Sequence, residues 1–302
     1  MREAIVVTSV ELGLGAVSNL VLIFVLAWTW KQWRQVRWYV VLLTVGNVLE
    51  IFFTLGVEIG RQMTLGFWLG SAASCKFLMF MHSLGPSMAN MAVAALSLHV
   101  LLTSMSGNQG NRLRHTLVIG LFLFLSFPVP ISKIPAYMLE TPLPWITEHK
   151  KCVPYGFLDS PGAVRSYHVI AAFAVLFFPQ IIFFLSCAVT LIHHLTRSQG
   201  TDKGDVSYAD LIFSGVLGIV MVTCCLPYGV FVVYSAAVPN SDHLKMEVIE
   251  KDLTYLMFTN PTVSAIVCVV FGTVQASRKH YDANTPSIIE TNEAGETRKL
   301  FN

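Results

Sequence analysis

The sequence predicts an all-α membrane protein, a bundle of seven transmembrane helices with its N-terminus outside, and three observations carry that reading. Of 302 residues, 54% are hydrophobic and 13% charged, whereas a soluble domain carries roughly 25% charge. The apolar residues fall into seven runs, each long enough to cross a hydrocarbon core of about 30 Å as a helix. No polar stretch between the runs is long enough to form a soluble domain. With a mean hydropathy of +0.61 and a formal net charge of +2, a cytosolic enzyme, a disordered chain and a nucleic-acid binder are all disfavoured.

The runs cover residues 4–30, 38–59, 72–104, 115–138, 167–195, 208–238 and 248–274. Helices satisfy their own backbone groups where no water can. The first run carries Glu11 and ends in Trp28, Trp30 and Lys31 rather than in a small-residue cleavage site, so it reads as a retained helix and not a signal peptide. Arg2 alone precedes it, while Lys31, Arg34 and Arg37 follow; positive charge stays on the cytoplasmic side, which places the N-terminus outside. Arg278, Lys279 and His280 follow the last run on the inner side, as that orientation expects. Lys150, Lys151, Arg165, Lys245 and Lys251 fall on outer loops, so the orientation leans chiefly on the first hairpin. Residues 1–274 form one membrane domain, and residues 275–302 a polar cytoplasmic tail, mostly flexible.

The six cysteines divide by environment. Cys187, Cys224, Cys225 and Cys268 lie within runs, where a reduced thiol is a small apolar group. Cys75 and Cys152 fall at outer ends of the bundle, on the oxidising face where disulfides persist. A bridge between them would tie the second outer loop across the top of the bundle.

Polar side chains inside a bilayer are costly and face the bundle interior or a wet cavity. Asn19, Asn47, Asn90 and Asn260 sit near mid-membrane on the first, second, third and seventh helices. Individually they read as interhelical glue, and together as a polar seam able to rearrange between two packings. Glu50, acidic at mid-depth on the second helix, is protonated or paired. Pro86, Pro128, Pro130, Pro179, Pro227 and Pro261 each delete a backbone bond, which predicts a kink in every helix from the third to the seventh and an opening between them.

Below Cys75 on the third helix, Met79, His82, Ser83, Pro86 and Asn90 form one stripe at helical spacing. His82 is either a satisfied interhelical partner or a hydrogen-bond donor to a ligand held between the third, sixth and seventh helices. In the second reading Tyr228, Phe231, Thr254 and Phe258 supply the facing wall, and Lys133 or Tyr137 closes the mouth. Pockets of this type are mostly apolar with a few placed polar groups.

Seven helices, the outer cysteine pair and the run Asn260-Pro261-Thr262-Val263-Ser264 together resemble the rhodopsin-like G-protein-coupled receptors. Asn19 and Asn47 fall where that superfamily has its helix-one Asn and helix-two Asp, and Cys224-Cys225-Leu226-Pro227 is similar to its helix-six Cys-x-x-Pro. Where the third helix should end in Asp-Arg-Tyr this chain has His99-Val100-Leu101, and Ser264 replaces the Tyr of Asn-Pro-x-x-Tyr. Cys75-Lys76, His82-x-Leu84-Gly85, Ser87, Leu96-Ser97 and Thr103-Ser104 resemble the third helix of the vomeronasal type-1 receptors and their fish counterparts, as Pro261-Thr262-Val263-Ser264 resembles their Pro-Thr-x-Ser. Mammalian members generally carry a sequon in the second outer loop and lack the helix-six proline; this chain has Pro227 and no sequon, which a divergent, fish-like branch accommodates.

The resemblance implies a chemosensory receptor in the plasma membrane of sensory neurons, for small-molecule odorants or pheromones, coupled to an inhibitory-class heterotrimeric G protein, with no cofactor and no metal. Asn19, Asn47, Asn260, Pro261 and Ser264 become its switch residues, and His99, Arg112, Arg114 and Arg197 its face toward the G protein. Attraction to anionic lipid explains the basic ones as well. A transporter predicts matched broken helices in two halves, and the sequence has no internal symmetry. A metalloenzyme needs clustered ligands such as His-Glu-x-x-His; His193 and His194 are adjacent and point apart on a helix. Another divergent rhodopsin-like receptor for a non-olfactory ligand is the remaining alternative.

Overall fold

The computed structural model describes residues 2–33, 36–63, 70–106, 111–140, 151–153, 161–197, 208–237, 243–284, 289–291 and 297–299. Among them seven helices are long and apolar enough to cross a membrane, the first to seventh spans: Ile5–Trp28, Arg37–Gly60, Ala72–Met105, Leu113–Ala136, Gly162–His193, Ala209–Ala237 and Ile249–Arg278. Each coincides with an apolar run of the sequence. Phe24, Phe124, Leu185, Leu195 and Ile219 stand well exposed around the bundle, an apolar surface of a kind that hydrocarbon rather than water covers. The chain is a multi-pass membrane protein.

Two short hairpins accompany the helices. Met138–Glu140 pairs antiparallel with Lys151–Val153, setting Cys152 opposite Leu139. Ile289–Thr291 pairs with Thr297–Lys299 in the tail, after a last helix that runs on from Asn260 to Asn284.

The third span is the axle of the bundle and packs against the second, fourth, fifth and sixth. Its contact with the second span is backbone to backbone. A Cβ on Gly46 would stand 2.5 Å from the Ala89 nitrogen, and one on Gly85 would stand 2.7 Å from the Glu50 Cα. Small residues are what let membrane helices approach so closely. Beside this contact the second span widens into a π-helical segment, Glu50–Leu55. Glu50 is buried there, and its Oε2 has no hydrogen-bond partner among the described residues.

The prolines act in two ways. Pro86 and Pro227 lie inside continuous helices. The fourth span instead breaks at Ser126-Phe127 ahead of Pro128, the seventh breaks at Thr259 ahead of Pro261, and the fifth passes through a π-helical segment, Phe173–Phe177, ahead of Pro179.

A proline cannot donate to the carbonyl four residues back, and in lipid that carbonyl needs another donor. Three such carbonyls receive one from a neighbouring span. Thr54 Oγ1 donates to the His82 carbonyl (2.9 Å), left open by Pro86. Ser87 Oγ donates to the Ser126 carbonyl (2.9 Å), left open by Pro130. Asn90 Nδ2 donates to the Val175 carbonyl (3.1 Å), left open by Pro179. The second to fifth spans are thus joined by hydrogen bonds that exist because of the prolines.

At the end opposite the Cys75–Cys152 disulfide, the turn after the first span buries Trp33. Its Nε1 donates to Thr29 Oγ1 (2.8 Å), and its ring lies 5.8 Å from Phe213 of the sixth span and 5.5 Å from Phe271 of the seventh, which stack on each other at 4.1 Å. Nearby, the Arg37 guanidinium sits over the rings of Trp30 (5.0 Å) and Trp38 (5.7 Å), a cation–π arrangement in the kind of aromatic belt that marks a membrane interface.

Candidate functional site

Cys75 and Cys152 form a disulfide, with their Cα atoms 5.8 Å apart. It ties the start of the third span to the hairpin that precedes the fifth. Under it lies a small cluster apart from the main core: Cys75, Ala136 and Tyr137, with Met79, Cys152 and Tyr167 packed around them. Loss of such a bridge typically costs 2–5 kcal/mol in small domains, on the order of the whole stability of many proteins.

Below the disulfide the third span is only loosely covered. Met79, His82 and Ser83 are each only partly buried. The Ser83 hydroxyl turns back to the carbonyls of Met79 (3.2 Å) and Phe80 (3.1 Å), and the His82 carbonyl is held by Thr54. Pro86 and Asn90 lie deeper and are buried. Both polar atoms of the Asn90 side chain are engaged, Nδ2 at Val175 and Oδ1 by the Cys225 thiol at 3.8 Å. This floor reaches the seventh span, where Cys224 Sγ and Thr259 Oγ1 share a hydrogen bond at 3.5 Å. The third, sixth and seventh spans therefore meet at Asn90, Cys225, Cys224 and Thr259.

Of the facing wall, Phe231 and Phe258 are buried and Tyr228 partly buried. The Thr254 hydroxyl donates to the Glu250 carbonyl of its own helix (2.7 Å). The fourth and fifth spans also contribute side chains to the cluster under the disulfide, Tyr137 and Tyr167. Ser132 Oγ and the Tyr167 hydroxyl are 3.0 Å apart, and the Lys133 ammonium lies 5.1 Å from the Tyr137 ring centre and 5.5 Å from that of Tyr167. The sequence reading named Lys133 and Tyr137 but not Tyr167 or the adjoining His168. Their signal was a Tyr-His pair at the start of an apolar run, near the cysteine bridge.

Deeper, the polar seam converges on one atom. Asn19 Nδ2 donates to the Pro261 carbonyl (3.2 Å) and to the Gly15 carbonyl (2.9 Å). Asn47 Nδ2 donates to the same Pro261 carbonyl (3.4 Å) and to Ser264 Oγ (3.0 Å), and Ser264 in turn donates to Pro261 (3.4 Å). Asn260 is buried at the break of the seventh span. Asn19 Oδ1 and Asn47 Oδ1 are left without partners among the described residues. First, second and seventh spans are thus pinned by directional bonds at a helix break.

At the opposite end, Arg114 is exposed and accessible, while the side chains of Arg112 and Arg197 lie outside the described residues. His99 differs from the expectation that it faces a partner. It is 5% exposed, with its ring centre 5.1 Å from Tyr39 and 5.1 Å from His115, which lie 5.1 Å from each other. Tyr39 of the second span and His115 of the fourth close over it, so in this packing its contacts are internal. Lys150, which the sequence reading puts on an outer loop, lies outside the described residues.

No family model matches the chain, and no curated protein matches it. The fold and site define a membrane protein of seven spans, with one end bridged by a disulfide over a partly open third span.

Proposed function

We propose that the chain is a rhodopsin-like receptor of the vomeronasal type-1 kind, with its N-terminus outside, which binds a small-molecule odorant or pheromone and signals to a heterotrimeric G protein. One observation carries the reading: the disulfide end holds half-buried polar and aromatic side chains of the third to sixth spans, and below it a hydrogen-bonded break in the seventh span couples three helices. A ligand above and a rearrangeable joint beneath are the parts a switch needs. The ligand shifts the balance of packings only by its differential affinity for them.

The orientation has two supports. Positive charge follows the first span, and the disulfide lies at the opposite end, where an oxidising exterior preserves it. In the receptor reading, His82, with Met79, Ser83, Tyr228, Phe231, Thr254 and Phe258, contacts the ligand. Pro86 and Asn90 shape the floor. Arg112, Arg114 and Arg197 meet the G protein. With Val100 where the superfamily has Arg, the resting state is held by packing, and the rings around His99 and Trp33 supply it.

The test is a signalling assay in transfected cells against small acids, amines and steroids, in wild type and His82→Ala. The expected result is a response to at least one class, reduced tenfold or more in potency by His82→Ala at unchanged surface expression. Equal potency removes His82 from the site. Tags at both termini reached from the same side of intact cells overturn the receptor reading itself.

A further inference from the structure

Lys133 carries a charge that the bundle does not neutralise among its described residues. It lies on the fourth span, one helical turn below Tyr137. Its ammonium stands between the faces of Tyr137 and Tyr167, and His168 is close enough to feel its charge. Tyr228 of the sixth span stands within electrostatic reach of Tyr137. The cage is firmly built: Tyr137 and Tyr167 pack on the disulfide cluster, and the Tyr167 hydroxyl is held by Ser132.

Aromatic faces attract a cation through their quadrupole, but they supply no full negative charge. An ammonium also has three N–H donors, and a ring face satisfies them poorly. A cation kept out of water is stable only when paired, and no described carboxylate forms an ion pair with it. Two tyrosine faces with one cation between them make a site with a single charge to offer and aromatic walls beside it.

We propose that Lys133 is the anchor of the ligand site, and that the ligand class is a small organic monoanion, its carboxylate on the Lys133 ammonium and its apolar body among Tyr137, Tyr167 and Tyr228. This rests on the receptor reading and sharpens it, since it moves the polar end of the ligand from the third span toward the fourth and fifth. One cation selects against dianions and amines, and the apolar walls select against small inorganic ions.

The experiment uses the full chain, purified in lipid nanodiscs, and the same chain in transfected cells. Benzoate, cyclohexanecarboxylate and octanoate are each compared with the matched primary amide and amine, by ligand-induced shift of thermal unfolding and by signalling. At least one carboxylate is expected to bind tenfold or more tightly than its amide. Lys133→Met should abolish that preference without lowering the unliganded melting temperature, and Lys133→Arg should retain part of it. A Lys133→Met protein that melts lower and keeps the acid preference overturns the proposal, because Lys133 then pairs with a carboxylate of the chain itself. A panel in which no acid outbinds its amide overturns it equally. Acid binding without any signalling would sink the receptor reading and leave the anion site standing. Signalling driven only by amides or amines, and unchanged in Lys133→Met, would do the reverse.

Discussion

The two halves of the third span are built to opposite rules. Between Ala72 and Ser83 only Cys75 is buried, whereas from Leu84 to Ser97 every residue is. The shallow half is fastened by one covalent bond and leaves Met79, His82 and Ser83 partly uncovered. The deep half is fastened by close approach, through Gly85 and Ala89, and by polar groups that complete broken helices next door. A membrane bundle gains little from apolar attraction between its helices, since lipid is as apolar as they are. Close packing and hydrogen bonds must therefore be concentrated somewhere, and concentrating them deep leaves the other end free to hold something else.

The hardest blow to that contrast is Gly85→Leu. The new side chain would meet the Glu50 backbone, which cannot step aside as a flexible side chain can, and overpacking of this kind typically costs about 1–3 kcal/mol or more. Monodisperse protein, read by size-exclusion chromatography of a fluorescent fusion, should fall more than tenfold. Gly13→Ala, with nothing within 4 Å of the added carbon, should leave it unchanged. If Gly85→Leu assembles normally, the deep half is not the axle.

Next comes the covalent tether. Cys75→Ser and Cys152→Ser should each destabilise by about 2–5 kcal/mol, and the double variant should be no worse than either one. Clearly additive losses would argue that the two cysteines act separately.

The smallest effect sharpens the comparison most. Thr54→Val should lower stability by about 0.6–1.7 kcal/mol, the range for hydrogen bonds within membranes, because the His82 carbonyl loses its donor. Pro86→Ala restores an N–H for that carbonyl, so Thr54→Val should cost markedly less in the Pro86→Ala background. A double-mutant cycle by thermal unfolding measures the coupling; zero coupling would mean that the proline and the threonine merely lie near each other.

Much of this was legible beforehand. Seven spans follow from apolar runs, because only helices of that length bury their backbone in lipid, and Cys75 with Cys152 followed from which ends face an oxidising space. Asn19, Asn47 and Ser264 stood out as costly polar groups, but their meeting at the Pro261 carbonyl depends on how three helices are rotated, which spacing along one helix does not encode. The π-helical segment at Glu50–Leu55 has no local marker: it accompanies a close backbone contact made by Gly85, on another helix. His99 was misplaced for the same reason. A histidine near a helix end suits a docking surface or a ring cluster equally well, and Tyr39 and His115 decide the matter from afar. Tyr167 and His168 were passed over because aromatic residues at the membrane boundary are common and carry no direction of their own.

Trp33 sits buried in the turn after the first span, wedged against the Phe213 and Phe271 rings. Any tilt of the sixth helix at that end must pull the Phe213 ring away from both the Trp33 indole and the Phe271 ring. A clasp of rings has no net charge for ions to screen, so its grip should be indifferent to salt. Whatever prises it open has to do so by shape.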